Sequence, residues 1–328
     1  MDRIMPTKKD LLQLLRETDG YVSGEAVSEK LGITRAAVWK QVELLRAEGY
    51  VIDSLTRRGY RLRETPDLLT QEEIQAGLSA GEFGCRVFAM ETVDSTNEEA
   101  KRRAEQDAPH GSVFVAEQQT GGKGRLGRRW DSAAGSGLWF SLLLRPKALP
   151  SQTAGITLLA GLAVCRAIRR ETGCQASIKW PNDVVLGTKK VCGILTEMSA
   201  EMDQIHYVVV GIGINVKKGA FPAELQEKAV SLEAGAGRPV RRVPLLQRIL
   251  EEFELLYREY GVSSFPLEEY SSLCVSLGRR IRFFRNGSEV HGTAVAVEKD
   301  GGLVAELENG ETAVVTSGEV VVQGFYGQ

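Results

Sequence analysis

The densest run of chemically useful residues in this chain is Gln118-Gln119-Thr120-Gly121-Gly122-Lys123-Gly124-Arg125-Leu126-Gly127-Arg128-Arg129-Trp130. Glycines let a backbone approach a ligand closely, and the cations set among them answer a strongly anionic group, for which a triphosphate is a natural fit. The string 122–127 matches GxGxxG letter for letter. A dinucleotide-binding turn must open a helix, however, and Arg129-Trp130-Asp131-Ser132-Ala133-Ala134-Gly135-Ser136-Gly137 does not read as one. A P-loop is excluded as well, because Arg128 stands after Gly127 and no Lys-Ser or Lys-Thr follows. A surface loop without a ligand is the bland alternative.

Four further clusters accompany this loop: Asp94-Ser95-Thr96-Asn97, Lys179-Trp180-Pro181-Asn182-Asp183, Lys189-Lys190-Val191-Cys192-Gly193-Ile194-Leu195 and Gly211-Ile212-Gly213-Ile214-Asn215. Each has an ordinary reading when taken alone. Ser95 with Glu98 three residues on is a helix capping box, Pro181 and Asn182-Asp183 favour a turn, and Gly211 to Asn215 suits a buried strand. All five together, in this order, resemble the biotin protein ligases.

That resemblance implies a set of roles that chemistry can examine. Biotin has a polar ureido ring, an apolar thiophane body and a carboxylate on a flexible chain, so its pocket needs hydrogen bonders, apolar walls and cations in turn. By resemblance Ser95, Thr96 and Gln119 hold the ureido group, with Asn97 in the same motif. Trp139, Gly193 and Leu195 enclose the body, although Trp139 also reads as plain core, and Lys190 reaches the carboxylate. Trp130, Asn182 and Asn215 are expected at adenine or ribose, and Asp183 at the mixed-anhydride junction. The glycine-rich loop contributes Gly122, Lys123 and Gly124. Adenylation brings an anionic carboxylate to an anionic α-phosphate, so Arg125, Arg128, Lys190 and Mg²⁺ are expected to neutralise the repulsion; no protein nucleophile is needed. Lys123 departs from the Arg that many members carry, which keeps the charge and loses the planar fork. The residues that would bind the metal are unknown at this stage. A second reading, the lipoate ligases and octanoyltransferases of the same catalytic fold, turns on a cysteine acyl carrier. Cys192 is the cysteine within a motif, and its apolar surroundings suit a thiolate poorly.

These motifs must be positioned by elements, and the texture of the chain supplies them. Helical stretches alternate with β-rich ones from Thr70 to about Cys274: Val113–Ala116, Leu138–Leu144, Ile178–Trp180, Val191–Met198 and Val208–Val216. After Leu277 come short strands, Arg280–Phe284, Glu289–Val297, Leu303–Leu307 and Thr312–Thr316, with Asn286-Gly287 and Asn309-Gly310 as turns. Before Thr70, Lys8–Glu17 and Gly24–Leu31 pattern as helices. Thr34 can cap a third helix with Val38, Val42 and Leu45 on one face. Val51–Leu55 and Tyr60–Leu62 then flank the turn Thr56-Arg57-Arg58-Gly59. This order resembles the winged helix of bacterial repressors. Arg35, Trp39 and Lys40 are the expected groove contacts, Arg57 and Arg58 the wing contacts, and the local excess of Arg and Lys supports DNA as partner. A solvated face without DNA is the alternative, as is a ligase with a vestigial winged helix or a biotin sensor that has lost ligation.

The expected class is therefore α+β multidomain. Residues 1–65 form a winged helix-turn-helix, 66–274 a mixed sheet flanked by helices with the class II synthetase-like ligase fold, and 275–328 a small SH3-like barrel. The 328 residues, 43% hydrophobic and 26% charged with net charge -2, suit a soluble chain with no global pull toward nucleic acid or membrane. The apolar run Ala154–Val164 is shorter than the ~18 residues of a membrane span and reads as a buried helix, and with no signal-like start the expected compartment is the cytoplasm. The five cysteines lack CxxC spacing and read as small core residues; His110, His206 and His291 lie too far apart for a zinc motif. The resemblance further implies biotin and ATP as substrates and biotinyl-5'-AMP as intermediate and corepressor. It also implies a biotin carboxyl carrier protein as acceptor, operator DNA, and a homodimer in the adenylate-bound state.

Overall fold

Short polar residues set the helix starts of the N-terminal unit. The Ser23 hydroxyl accepts the Ala26 N–H at the start of α2 (Gly24–Leu31), and Thr34 does the same for Ala37 at α3 (Arg35–Ala47). With α1 (Lys8–Glu17) these helices enclose Leu11, Leu15, Val27, Val38, Val42 and Leu45. A hairpin of β1 (Val51–Leu55) and β2 (Gly59–Glu64) follows, and a two-way bridge between Val22 and Tyr60 fastens its base. The computed structural model describes residues 8–78, 81–150, 153–219, 221–285, 287–316 and 318–326, and divides into two compact units, Met1–Leu68 and Leu69–Gln328.

The second unit is built on a seven-stranded mixed sheet. Its strands are β3 (Val87–Val93), β4 (Val113–Gln119), β5 (Gly137–Leu144), β6 (Ala176–Lys179), β7 (Asp183–Leu186), β8 (Lys189–Ala200) and β9 (Ile205–Asn215). They lie in the order β3-β4-β5-β9-β8-β7-β6, with β3 and β4 parallel and every other pair antiparallel. Alternation along the strands decides what each face covers. Val113, Val115, Leu142, Leu144, Val208 and Val210 join the core filled by α6 (Ala154–Thr172) and α8 (Arg242–Tyr260). The residues between them, Phe114, Leu143 and Val209, meet Ala100 and Ala104 of α5 (Thr96–Ala104). Because both faces are covered, β5 is buried along its whole length and reads as an apolar run.

Shorter helices α4 (Gln71–Ala76), α7 (Leu232–Ala236) and α9 (Leu267–Leu273) close the ends. A buried Arg242 guanidinium donates to both oxygens of Glu117, which also accepts the Leu69 N–H, so α8, β4 and the start of the unit are tied together. The last strands, β10 (Arg280–Arg285), β11 (Ser288–Val297), β12 (Leu303–Leu307), β13 (Thr312–Val315) and β14 (Val320–Val322), form an antiparallel sheet in the order β13-β12-β11-β10-β14. Ile281, Phe283 and Val322 belong to the same buried core as the central sheet.

The expected strands are present, and β3, β7 and β14 are additional. The sequence places Asp183 at the end of a turn and predicts no strand over 184–186; the turn is tight enough that Asp183 already pairs with Lys179. Asn286 of the expected turn lies outside the described residues. Cys165, Cys174, Cys192 and Cys274 are buried, whereas Cys85 is exposed and is not a core residue: it sits in the turn before β3, its carbonyl capped by Gln75. No helix among the described residues is long and apolar enough to cross a membrane.

Gly59 carries the wing. Its φ is +98°, and a Cβ there would lie 2.0 Å from the Val22 carbonyl oxygen, on the bridge that anchors the hairpin. Gly59→Ala is expected to destabilise the first unit by about 2–4 kcal/mol, from left-handed strain plus overpacking. Hydrogen exchange should show this as lost protection at residues 51–64 with the second unit unchanged.

Candidate active site

Lys179-Trp180-Pro181-Asn182-Asp183 forms the turn of the β6–β7 hairpin, and its side chains do more than turn the chain. Asp183 is buried at the start of β7, with Oδ1 2.6 Å from Lys190 Nζ. A bulge in β8 brings the lysine there. Val184 pairs with Cys192 and Val185 with Lys190, which leaves Val191 as the extra residue. In a regular strand Lys190 and Gly193 would face opposite sides; with the bulge, a Cβ on Gly193 would lie 2.9 Å from Lys190 Nζ.

Burial pushes the Asp183 carboxyl up, but the charges of Lys190 and Lys179 outweigh it and hold its pKa below the usual carboxylate value. Lys179 is buried beside it with its ammonium donating to the Val320 carbonyl, and desolvation depresses its pKa. Asn182 is bound on both sides. Its Nδ2 donates to the Ile194 carbonyl at 3.0 Å, and its Oδ1 accepts from Arg125 at 2.8 Å.

Beside Lys190 lies a shelf of glycines on paired strands, Gly193 of β8 opposite Gly213 of β9, with Gly211 two residues along. Cβ atoms at Gly193 and Gly213 would strike the Trp130 ring at 2.9 and 2.6 Å, so the indole lies directly on this shelf. Its Nε1 is buried with no hydrogen-bond partner among the described residues, Lys190 Nζ stands 5.2 Å from the ring centroid, and Trp139 meets it edge-on at 6.3 Å. At the far end of the shelf is the start of α5. Ser95 occupies the N-cap position but makes no side-chain cap bond, and Glu98 pairs with Lys101 and Lys123, so the capping box does not form. Gln119 Oε1 accepts the Thr96 N–H at 2.9 Å while its Nε2 donates to Ser132. The Asn97 amide is engaged by protein, receiving Ser141 and donating to Glu197 and the Leu195 carbonyl.

The glycine-rich loop folds as a short ladder. Gln119 N–H donates to Ser132, Trp130 to Gly122, and Gly124 to Arg128, with a 3₁₀ turn at Arg125–Gly127 as its tip. Gly122 must lack a side chain, since a Cβ would lie 2.5 Å from the Trp130 carbonyl oxygen. The tip is fastened: Arg125 also donates to Gly318, and Arg128 to Glu319 at 2.6 Å.

Two clefts meet here. A cavity of about 560 Å³ is lined by Arg128, Trp139, Asp183 and Asn215, by Lys179 of the same motif as Asp183, and by Glu319 and Tyr326, which sequence reasoning missed. A smaller cleft of about 50 Å³ is lined by Ser95, Thr96, Asn97, Gln119, Lys123, Gly193 and Leu195. Gly124, Arg125, Trp130, Asn182 and Lys190 line both. Every expected residue of this set except Gly122 thus borders one cleft or the other, and Gly122 supports the loop from beneath. The missed residues carry no local signal, because only the tertiary fold brings residues near 320 to a turn near 182. The Cys192 thiol is fully buried, with desolvation raising its pKa, and is unsuited to carry an acyl group.

In the first unit Arg35, Trp39 and Lys40 share the exposed surface of α3, with Trp39 59% exposed, and Arg57 and Arg58 are exposed on the wing. Arg35 meets Glu25 at 3.0 Å. Lys40, Arg57 and Arg58 have no carboxylate partner among the described residues. Arg46 holds the Ile52 carbonyl, and Arg63 meets Asp53.

Known proteins match along the chain. The sequence profile of the biotin/lipoate A/B protein ligase family matches residues 89–215, that of a helix-turn-helix domain residues 7–61, and that of the biotin protein ligase C-terminal domain residues 276–322. The chain is 39% identical over 308 residues to the bifunctional ligase/repressor BirA of Bacillus spizizenii, covering 92% of this chain and 95% of that one. It is 28% identical to the protein of that name from Escherichia coli, over 94% of both. Among solved structures, the biotin protein ligase from Aquifex aeolicus in complex with biotin and ATP aligns with TM-score 0.64 and 32% identity, over 73% of this chain and 99% of that one. Having the same order of parts and this level of identity over nearly its whole length, the chain belongs to the biotin protein ligase family, in the form that joins the ligase to an N-terminal helix-turn-helix domain.

Proposed function

We propose that the chain activates biotin with ATP, transfers it to a lysine of a biotin carboxyl carrier protein, and uses the same adenylate to control DNA binding. The observation that carries this reading is the meeting of two clefts at Lys190, Arg125 and Asn182: one is narrow with a glycine floor, the other roomy and cationic. Biotin's ring system fits the glycine shelf, where Ser95, Thr96 and Gln119 offer polar partners and Leu195 a wall. The nucleotide fits the larger cavity, with adenine or ribose against Asn215 and Asn182. Trp130 occupies the shelf, so the arriving ring must move it, and the displaced indole becomes available to the nucleotide.

In the first half-reaction a biotin carboxylate oxygen bonds to the α-phosphorus and pyrophosphate leaves. Lys190 stands between the two anions, and Arg125 and Arg128 exchange their protein partners for phosphate oxygens. In the second, the carrier amine attacks the acyl carbon and AMP leaves. Magnesium enters with the nucleotide, which suits an ion that keeps phosphate and water oxygens; among the described residues no three His, Cys, Asp or Glu side chains cluster to hold a metal. The parts divide functionally at 1–65, 66–274 and 275–328, with the last sheet read as an SH3-like barrel and the central one as synthetase-like.

For regulation, the adenylate orders the loop, the ordered surface favours a homodimer, and paired winged helices read a two-fold operator. Free carrier protein competes for that surface.

With biotin and ATP-Mg, purified protein should retain biotinyl-AMP detectable by mass spectrometry, and tryptophan emission should shift on biotin binding as Trp130 leaves the shelf. Lys190→Ala is expected to slow adenylate formation about 10²–10³-fold with the fold intact. Folded parent protein that yields no adenylate would contradict the ligase reading. Separately, biotinyl-AMP should convert monomer to dimer in ultracentrifugation and tighten binding to an operator selected from a random pool. Arg58→Ala should weaken that binding and lower the salt slope by about 1. No change in either oligomer or affinity on adding adenylate would leave the helix-turn-helix vestigial.

A further inference from the structure

Asp183 has two oxygens to satisfy in a buried place, and Lys190 meets only one of them. The second is met from the end of the chain. After β14 the backbone turns at Gly324 (φ +85°), and Phe325 is buried with the Arg279 guanidinium 5.1 Å from its ring. Tyr326 follows with a left-handed φ of +57°, its N–H donating to the Thr188 carbonyl at 3.2 Å. Its hydroxyl donates to Asp183 Oδ2 at 2.8 Å, and Lys179 Nζ lies 4.9 Å from its ring centroid. Tyr326 lies beyond the matched C-terminal domain segment.

We propose that Tyr326 is a positioning residue for the ligase reaction: its hydroxyl fixes Asp183 Oδ2, so that Oδ1 stays turned to Lys190 and keeps that ammonium at the junction of the two clefts. A carboxylate on a short stem can rotate, and when it does the two oxygens exchange places. Holding one oxygen with a directional O–H donor removes that freedom and leaves the other as the ion-pair partner of Lys190. Without the hydroxyl, Oδ2 becomes a buried acceptor with no protein partner, and Lys179 becomes the nearest competing cation for the carboxylate. The Asp183–Lys190 contact then loosens although neither residue has changed. The ring also covers Lys179, whose ammonium donates to the Val320 carbonyl. Tyr326 needs no contact with either substrate to do this, and its own proton stays in place, since burial and the adjacent Asp183 raise its pKa far above the usual phenol value.

The inference rests on the ligase reading, and the test separates the two. Single-turnover adenylate formation is measured in the full-length parent, Tyr326→Phe, Lys190→Met and the double variant, with thermal unfolding of each. Tyr326→Phe keeps the ring and is expected to unfold cooperatively a few degrees below the parent, as a buried acceptor is left unpaired, while forming adenylate about tenfold more slowly at saturating substrates. KM for biotin should change little by comparison. The acid limb of its pH profile should move up, because Asp183 loses a hydrogen bond that lowers its pKa. In the Lys190→Met background the same change should have no further effect on rate. Tyr326→Phe that matches the parent in rate and acid limb, or that slows Lys190→Met as much as it slows the parent, overturns the proposal while leaving the ligase reading in place. A folded parent that forms no adenylate overturns both.

Discussion

The ion pair between Lys190 and Asp183 is the contact on which the site depends, and its burial sets the terms for everything around it. A desolvated charge pair is costly to hold unless each remaining polar atom finds a partner, and breaking it leaves an uncompensated charge. Two neighbouring strands and the far end of the chain meet this requirement. The β6–β7 hairpin presents Asp183, the β8 bulge turns Lys190 onto the same face, and the residues after β14 bring a hydroxyl to the second carboxylate oxygen. The last sheet therefore does more than cap the ligase unit: the chain leading into β14 also supplies Gly318 and Glu319, which hold Arg125 and Arg128.

Around this pair the site is defined as much by missing side chains as by those present. Gly193, Gly211 and Gly213 leave a floor that any Cβ would fill, while Gly122 lets the loop close against its own base. Trp130 lies over Gly193 and Gly213 and the Asn97 amide over Gly211, with the Lys190 ammonium beside the indole ring. The same loop carries Arg125 and Arg128, so under the proposed function a biotin ring that displaces Trp130 would also free these cations toward phosphate. This coupling also gives the proposed regulation its basis, since loop order then reports that adenylate is present.

Much of this was legible in the chain. Thr34 as a cap, Val38, Val42 and Leu45 as one helix face, and the apolar run Leu138–Leu144 follow from local periodicity, which local structure obeys. The motif residues were legible as a set because their combination is specific, although Asn97 turned out to be pinned to Ser141 and Glu197, a role that spacing cannot separate from ligand contact. β7 begins at Asp183, the last residue of a motif that reads as a turn, and its four residues are too few to show alternation. Tyr326, Glu319 and the bulge at Val191 were not legible at all: each owes its place to register or to contacts across more than a hundred positions of chain, and none leaves a mark on neighbouring residues.

If the ion pair organises the site, Asp183 serves the reaction through Lys190. A double-mutant cycle of Asp183→Asn and Lys190→Met, read as the single-turnover rate of biotinyl-AMP formation, tests this most directly. If the pair acts as a unit, each single variant is strongly slowed and the double variant is about as slow as Lys190→Met alone. Losses that multiply, so that the double variant is slower by the product of the two single effects, would mean that the residues act independently and that the pair is not what organises the site.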